Sequence, residues 1–390
     1  MANDLTFTQI STILNDIVQL ATGVEAPKVL DYSSFVNQAQ LALKTGYDPV
    51  LNAISQVIAR TIFSVRPYTR KFRGIEADSQ RWGNHVRKIQ WVDKDWADDP
   101  RYTLTNGGTI DMYKINLPEV MQTNFYGANT FKRYITILRD QLDNAFHGPD
   151  ELARFMAGTM QNISDQIEQA HESLARATVC NFIAAKYTAD STSVIHLLAE
   201  YNTLIGADPA LTVEDIYKPE NFKPFMQWVF GRIAGISSMM TERTVKYQLN
   251  ISGKPITRHT PVNRQRVYLY APNVYYTQTM ALANTFHPQF LREGSFEAVN
   301  FWQSADKPDN INITASYTDT NGALQKTSAV NINNVLGVIF DEEALGYTVV
   351  NQWNAPTPFN ADGGYSNIFW HFTDKYWNDL TEKGVVLMLD

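Results

Sequence analysis

Behind Gly148 stand Pro149, Asp150 and Glu151. A proline at the first helical position and carboxylates in the first turn, where the helix dipole favours negative charge, are helix-start signals. Met156, Met160, Ile163, Ile167, Ala170 and Leu174 follow at spacings of three and four, forming one apolar stripe. The pattern runs to about Tyr187. About 38 residues at 1.5 Å each would reach roughly 57 Å, against roughly a dozen residues for an average globular helix. A rod of that length with one narrow stripe is expected to lie across a sheet.

The chain end offers strands for such a sheet. "YSNIFWHFTDKYWND" is dense in aromatics, and Val385 to Leu389 form a continuous apolar run behind Gly384. Chain ends are usually polar and poorly ordered, so this run reads as a strand buried on both faces that closes the core. The aromatic segment and the terminal run are expected to complete the sheet under the long helix. Upstream, Ile311, Ile313, Ala315 and Tyr317 alternate, Asn321-Gly322 turns, and the chain returns through Val330 and Ile332. Asn-Gly between alternating runs is a strong hairpin signal. "RVYLYAP", "SFEAVNFW" and "VLGVIFDEEALGYTVV" read as strands, and "KPFMQWVFGRIAGISSMM" and "NVYYTQTMALANTF" as helices. "TFKRYITILRDQLDNAFH" reads as a helix stopping at Gly148.

The first sixty residues look different. Ile10, Ile13, Leu14, Ile17 and Val18 mark an amphipathic helix, Phe35 to Leu43 a second, and Asp48-Pro49 the start of a third. These read as a helical arm and not a core. Residues 80–125 contain two extended runs, "NHVRKIQWVD" and "TIDMYKINLPEVMQ", neither with a clean apolar face. Ile89 and Trp91 share a face with Arg87, and Val86 and Val92 lie opposite. A polar stretch with a turn at Asn106-Gly107 joins them. An isolated hairpin is marginal in water, so this arm is expected to need a partner surface, such as another subunit.

Composition narrows the functions. With 44% hydrophobic and 19% charged residues the chain is ordinary globular material, and its formal net charge of −7 argues against nonspecific nucleic-acid binding as the main task. The single Cys180 permits no internal disulfide or cysteine zinc site, and reads as a buried small hydrophobe. "MANDLTFTQI" has no signal-peptide pattern and no run approaches membrane-spanning length. Asp93, Asp95, Asp98 and Asp99 lack the spacing of a calcium loop and read as a solvated loop. Asp341, Glu342 and Glu343 follow an apolar strand and read as its polar turn, not as a glycosidase pair. The seven histidines show no i, i+4 zinc spacing. Trp370, Tyr376 and Trp377 read as core or interface before a stacking platform. No catalytic, cofactor or metal site is expected.

The order of parts carries the identification. "YTRKFRG" stands before the loop, "YKINLPEVMQTNFYGAN" on its return and "YITILRDQLDNAFHGPDELARFMAGTMQNISDQIEQAHESLARATVCNFI" in the long-helix region. "VIFDEEALGY" then precedes "YSNIFWHF". In this the chain resembles the major capsid proteins of tailed bacteriophages, most of all the short-tailed phages of the small Bacillus-infecting type. The resemblance covers most of residues 60–390. It implies an α+β chain with the Hong Kong ninety-seven capsid fold. Residues 1–65 would be an N-terminal helical arm and 66–128 an extended loop. Residues 129–190 would form a peripheral domain with a spine helix. Residues 191–350 would form an axial domain with an inserted hairpin near 304–332 and some peripheral strands, and 351–390 strands returning to the peripheral domain.

It further implies a structural protein, not an enzyme, that assembles into pentamers and hexamers of an icosahedral shell around double-stranded DNA. Scaffolding, portal and decoration proteins would be its partners, with no cofactor and no membrane. Its place would be the virion, after assembly in the host bacterial cytoplasm. Trp91, Trp96, Arg101 and Tyr102 in the loop, with Arg66, Arg70, Lys71 and Arg73 before it, are the candidate intersubunit contacts. Lys88, Lys94 and Lys114 fall where some relatives carry a crosslinking lysine, but nothing marks one as reactive. The rival readings are a tail or portal component and, from another class, a carbohydrate-binding protein or glycosidase.

Overall fold

The computed structural model describes residues 7–23, 29, 32–60, 71–77, 86–93, 99–113, 115, 117–254, 256–280 and 296–390. The long helix, α5, runs Pro149–Ala189, about 60 Å at 1.5 Å per residue. Its first half buries Leu152, Met156 and Ile163, and its second half Val179, Cys180, Phe182 and Ile183. These halves belong to two different apolar cores. The expected single stripe therefore describes only the first half, and residues 182–186 are buried all round.

The first core lies under a three-stranded antiparallel sheet. Its strands are β3 (Ala128–Leu138), β10 (Leu345–Pro356) and β11 (Tyr365–Asn378), ordered β10-β11-β3. Strand β11 alternates: Ile368, Trp370 and Phe372 face the core, and the ring of Phe131 stacks on Phe372 at 4.8 Å between centroids. The helix expected over "TFKRYITIL" is a strand instead, and only α4 (Arg139–Ala145) is helical. Phe131, Ile135 and Ile137 share one face at period two. A segment rich in Thr, Tyr and Ile fits a pleated surface better than a helix, where β-branched residues lose rotamers.

Helices α1 (Phe7–Thr22), α2 (Tyr32–Lys44) and α3 (Tyr47–Arg60) close this core. All five apolar residues of the α1 stripe are buried together with Phe35, Val50, Ile54, Phe146 and Trp370. This corrects the reading of the first sixty residues as coreless. Amphipathicity shows that a helix has a face to bury, and it cannot show that the receiving sheet comes from residues 128–138 and 365–378. Polar ties fix the docking. The Tyr47 hydroxyl donates to Asp143 at 2.9 Å, Arg139 Nε donates to Tyr47 Oη at 2.8 Å, and Asp48 accepts from the Phe359 amide at 2.6 Å.

The second sheet has five strands. β4 (Val194–His196), β12 (Gly384–Met388), β9 (Val335–Asp341), β5 (Gln265–Tyr270) and β6 (Phe296–Val299) lie in the order β4-β12-β9-β5-β6. β12 is buried along its whole length. Val386 and Met388 meet the second half of α5. Val385 and Leu387 meet α6 (Leu197–Ile205) and α8 (Pro219–Thr241) on the other face. Gly337 lets β5 and β9 approach, since a Cβ there would sit 2.6 Å from the Tyr268 carbonyl oxygen.

The aromatic segment and the terminal run thus enter different sheets. The expected single sheet divides because β11 has one covered face, whereas an all-apolar strand needs cover on both. The expected hairpin is present as β7 (Ile311–Thr318) and β8 (Leu324–Ile332). Ile311 pairs with Ile332 and Ile313 with Val330, and Gly322 sits at φ +79° in the turn. It packs on α5, where Asn181 donates to the Ser316 carbonyl at 3.0 Å and accepts the Ser316 amide at 2.8 Å.

Candidate intersubunit surface

Strands β1 (Val86–Trp91) and β2 (Val120–Phe125) pair antiparallel from Val86↔Phe125 to Trp91↔Val120. In β1 the usual polarity is reversed. Ile89 and Trp91 are 60% and 65% exposed, and the alternate residues Lys88 and Gln90 face the body. The connection from residue 99 to 119 carries Tyr102, Met112, Tyr113, Ile115 and Leu117, all at least 75% exposed. Together with Val120 these make a run of exposed large apolar side chains far denser than the scattered singles normal on a monomer.

The inward face of the arm is held by charge. Lys88 Nζ lies 3.1 Å from Asp379 Oδ2 and 3.5 Å from Glu343 Oε2, and also pairs with Glu382. Arg258 pairs with Glu382 from the other side and donates to Thr381 Oγ1 at 3.0 Å. Burial alone would discharge Lys88, yet Asp379 and Glu382 outweigh it and hold the ammonium above its ordinary range. Burial likewise works to raise Asp379, but Lys88, Thr381 and Arg258 hold it below the usual carboxylate range. At Glu382 burial wins over both cations and raises it. Further out, Asp93 accepts from Arg243 at 2.7 Å and from the Thr257 amide at 2.6 Å, and Lys254 lies 3.7 Å from Glu119. The arm is therefore docked on the loop 243–258 and the turn 379–382 chiefly by ion pairs and hydrogen bonds.

The residues singled out from sequence fall in separate places. Trp91 lies on the outer face of β1. Arg101 donates to Asp99 at 2.6 Å through Nε, and Tyr102 beside it is 89% exposed at the loop surface. Lys71 is exposed with its backbone amide on Glu172 Oε2 of α5 at 2.8 Å, and Arg73 begins a short 3-10 turn. These two belong to the body near α5, away from the loop. Arg66, Arg70 and Trp96 lie outside the described residues. The meeting of Lys88 with Asp379, Glu382 and Arg258 escaped sequence reading, which named Lys88 only as one of three loop lysines. Alternation shows that Lys88 and Ile89 take opposite faces, and only tertiary structure shows which face is turned in.

The other chemical candidates resolve into structural roles. Glu342 and Glu343 pair with Arg264, and Asp341 accepts the Thr260 hydroxyl at 2.8 Å. Trp370 is buried in the first core. Burial pushes the Cys180 thiol up to about 12, so it is not a nucleophile near neutral pH. Among the described residues no acidic, histidine or cysteine cluster could hold a metal ion, and no helix is long and apolar enough to cross a membrane.

Comparison with known proteins completes the description. A family model described as Phi29-like phage major capsid protein matches residues 14–388. No curated protein matches the chain. A chain in the capsid structure of Staphylococcus phage Andhra shares the fold at TM-score 0.55 with 12% identity, over 85% of this chain and 87% of that one. A chain in a structure of the head fibre and inner core protein of native bacteriophage P68 does so at TM-score 0.55 with 11% identity, over the same shares.

Proposed function

The chain belongs to the family of Phi29-like phage major capsid proteins, and on that premise we propose that its copies form pentamers and hexamers of an icosahedral shell around double-stranded DNA. The protein is a structural component of a phage capsid with the Hong Kong ninety-seven fold, and the proteins it matches are capsid proteins, not enzymes. The proposal extends to a short-tailed phage of the small Bacillus-infecting type, to scaffolding, portal and decoration proteins as partners, and to assembly in the host cytoplasm. In this reading β3, β10, β11 and the first half of α5 are the peripheral domain. The five-stranded sheet with α6 and α8 is the axial domain, and the arm from Val86 to Phe125 crosses onto a neighbouring subunit.

The reversed polarity of that arm carries the reading. Among the described residues, Tyr102, Met112, Tyr113, Ile115 and Leu117 are each at least 75% exposed. Burying a side chain of that size is worth roughly 1.5–3 kcal/mol. Five of them supply on the order of 10 kcal/mol gross, of which association consumes about 4–15 kcal/mol. Each contact is then weak alone and sufficient in a closed lattice, which suits reversible assembly. The net charge of −7 suits a wall that encloses a polyanion without adhering to it.

The test is electron microscopy of the purified protein, expressed alone and with its scaffolding protein, beside a variant lacking residues 94–108. Shells or hexamer sheets from the full chain, and a folded monomer that does not assemble from the deletion, are the expected result. A full chain that stays monomeric in both preparations would overturn the reading. Normal shells from the deletion would remove the arm's role.

A further inference from the structure

The connection between β11 and β12 lies inside the molecule. Its five residues, Asp379, Leu380, Thr381, Glu382 and Lys383, are each no more than 7% exposed. Connecting segments normally run over the surface, because a buried one must find partners for its backbone and side-chain polar groups. Here the partners come from three separate parts of the chain. The arm supplies Lys88, which pairs with Asp379 and Glu382. The loop 243–258 supplies Arg258, on Glu382, and the Leu249 amide, which donates to the Leu380 carbonyl at 2.8 Å. Lys383 in turn donates to the Glu242 carbonyl at 2.7 Å and to Thr244 Oγ1 at 3.1 Å. The last turn of α5 supplies Lys186. Its Nζ donates to the same Leu380 carbonyl at 3.2 Å, to the Tyr247 carbonyl at 3.2 Å and to Asp190 Oδ2 at 3.0 Å.

Two lysines thus draw on one connection, Lys88 from the arm and Lys186 from α5. Lys186 is fully buried, and burial pulls its ammonium below the ordinary range while Asp190, Asp379 and Glu382 oppose that pull. Asp379 also shapes the connection. Its Oδ1 accepts the Thr381 amide at 2.9 Å and the Thr381 hydroxyl at 2.6 Å, while Oδ2 faces Lys88. Taking Lys88 away leaves that buried carboxylate without the ammonium that faces it, and an uncompensated buried charge is costly. The next carbonyl in the chain is the one that Lys186 holds. From Lys186 the contacts continue, for Asp190 accepts the hydroxyls of Thr192 at 2.7 Å and Ser193 at 2.5 Å just before β4.

We propose that residues 379–383 couple the arm to the end of α5. With the arm docked they clamp Lys186, the segment 190–193 and β4, and with the arm away from the body they release them. The inference concerns a single chain and is separate from the capsid reading. Anything that draws the arm off the body then loosens the β4–β12 side of the five-stranded sheet. Because a coupling energy is shared by two sites, it acts equally in both directions.

Hydrogen exchange of the purified chain, read peptide by peptide by mass spectrometry, tests this. Lys88→Met should speed exchange of residues 186–196 by about tenfold or more and leave α1–α3 and the first half of α5 unchanged. Asp190→Asn should speed the β1 amides by a similar factor. Faster exchange confined to the arm and residues 379–383 overturns the coupling. An equal rise in every segment, which reports a global loss of stability, overturns it too. Should Lys88→Met not fold, Lys88→Gln, which keeps a donor toward Asp379, is read in its place, with a smaller rise expected in the same residues. A double-variant cycle in urea gives an independent check. The unfolding constant of Lys88→Met combined with Asp190→Asn should differ by about tenfold or more from the value that the two single variants give when their effects are multiplied. Simple multiplication of the two effects is the result that rejects the proposal.

Discussion

Two antiparallel hairpins leave the same body with opposite faces turned inward. In β7–β8 the apolar residues Ile311, Ala315 and Ile332 are buried against α5 and its neighbours. In β1–β2 the apolar Ile89 and Trp91 face out, and Lys88 faces in to Asp379, Glu343 and Glu382. The first hairpin is complete within its own chain, with its hydrophobic term realised on folding. The second leaves its apolar face exposed in the single chain and is held to the body by charges. Apolar packing is non-directional and hard to undo, and ion pairs depend on both partners keeping their charge. The difference separates a part of the body from the part proposed to meet a neighbour.

The largest effect is expected at the arm's charged joint. Asp379→Asn leaves Lys88 and Arg258 with less opposing charge in a buried site, and should lower unfolding free energy by about 3–5 kcal/mol in urea titration. Glu382→Gln should cost far less, because burial already opposes the ionised form of that carboxylate. If the two variants lose equal stability, the joint is not organised around Asp379. The pH dependence follows the same division. The depressed Asp379 contributes stability that is present above its ordinary value of 3.8 and is lost as pH falls through its lower folded value. The raised Lys88 contributes below its ordinary 10.5 and loses that as pH rises through its higher folded value. The raised Glu382 has the opposite sign to Asp379, contributing below its ordinary 4.5 and losing that above its folded value. Protection of the β1 amides, corrected for the intrinsic pH dependence of exchange, should therefore fall as pH rises through the Lys88 range, and at acid pH the loss at Asp379 is opposed by the gain at Glu382.

A smaller loss is expected in the other hairpin. Ile311 is fully buried where β7 meets α5, and Ile311→Ala should cost about 3 kcal/mol through lost transfer energy and the cavity left behind. Gly322 holds φ +79° with open space around it, so Gly322→Ala meets no clash and only backbone strain, about 1 kcal/mol by thermal melting. A much larger loss there would mean that the turn, and not the apolar face, sets the register of β7–β8.

Sequence reading reached unequal depths in these regions, for physical reasons. The long helix was legible because its start signals and stripe are local, and its expected range of 149 to about 187 agrees with Pro149–Ala189. The β7–β8 turn was legible because Asn-Gly is a backbone requirement. The burial of β12 was legible because an unbroken apolar run has no polar face to expose. What pairs with what was not legible. The docking of α1–α3 under β11, the separation of β11 from β12 and the meeting of Lys88 with Asp379 all depend on residues hundreds of positions apart. In the arm, the sequence offers no clean apolar face, since Ile89 and Trp91 share theirs with Arg87 and Val86 and Val92 lie opposite. The reflex of turning Ile89 and Trp91 inward would have given the wrong orientation.

The smallest effect on stability should accompany the largest effect on assembly. Ile89 and Trp91 touch mostly water in the single chain, so Ile89→Ser with Trp91→Ser should shift unfolding free energy by no more than about 0.5 kcal/mol each. If the outer face of β1 is an interface, the same variant should remain a soluble monomer under conditions where the unaltered chain assembles, as read by sedimentation. Ile311→Ala should do the reverse, melting earlier yet assembling normally at temperatures where it is folded. A variant of Ile89 and Trp91 that destabilises the monomer by several kcal/mol would show that this face is already packed against its own chain, and the contrast between the two hairpins would collapse.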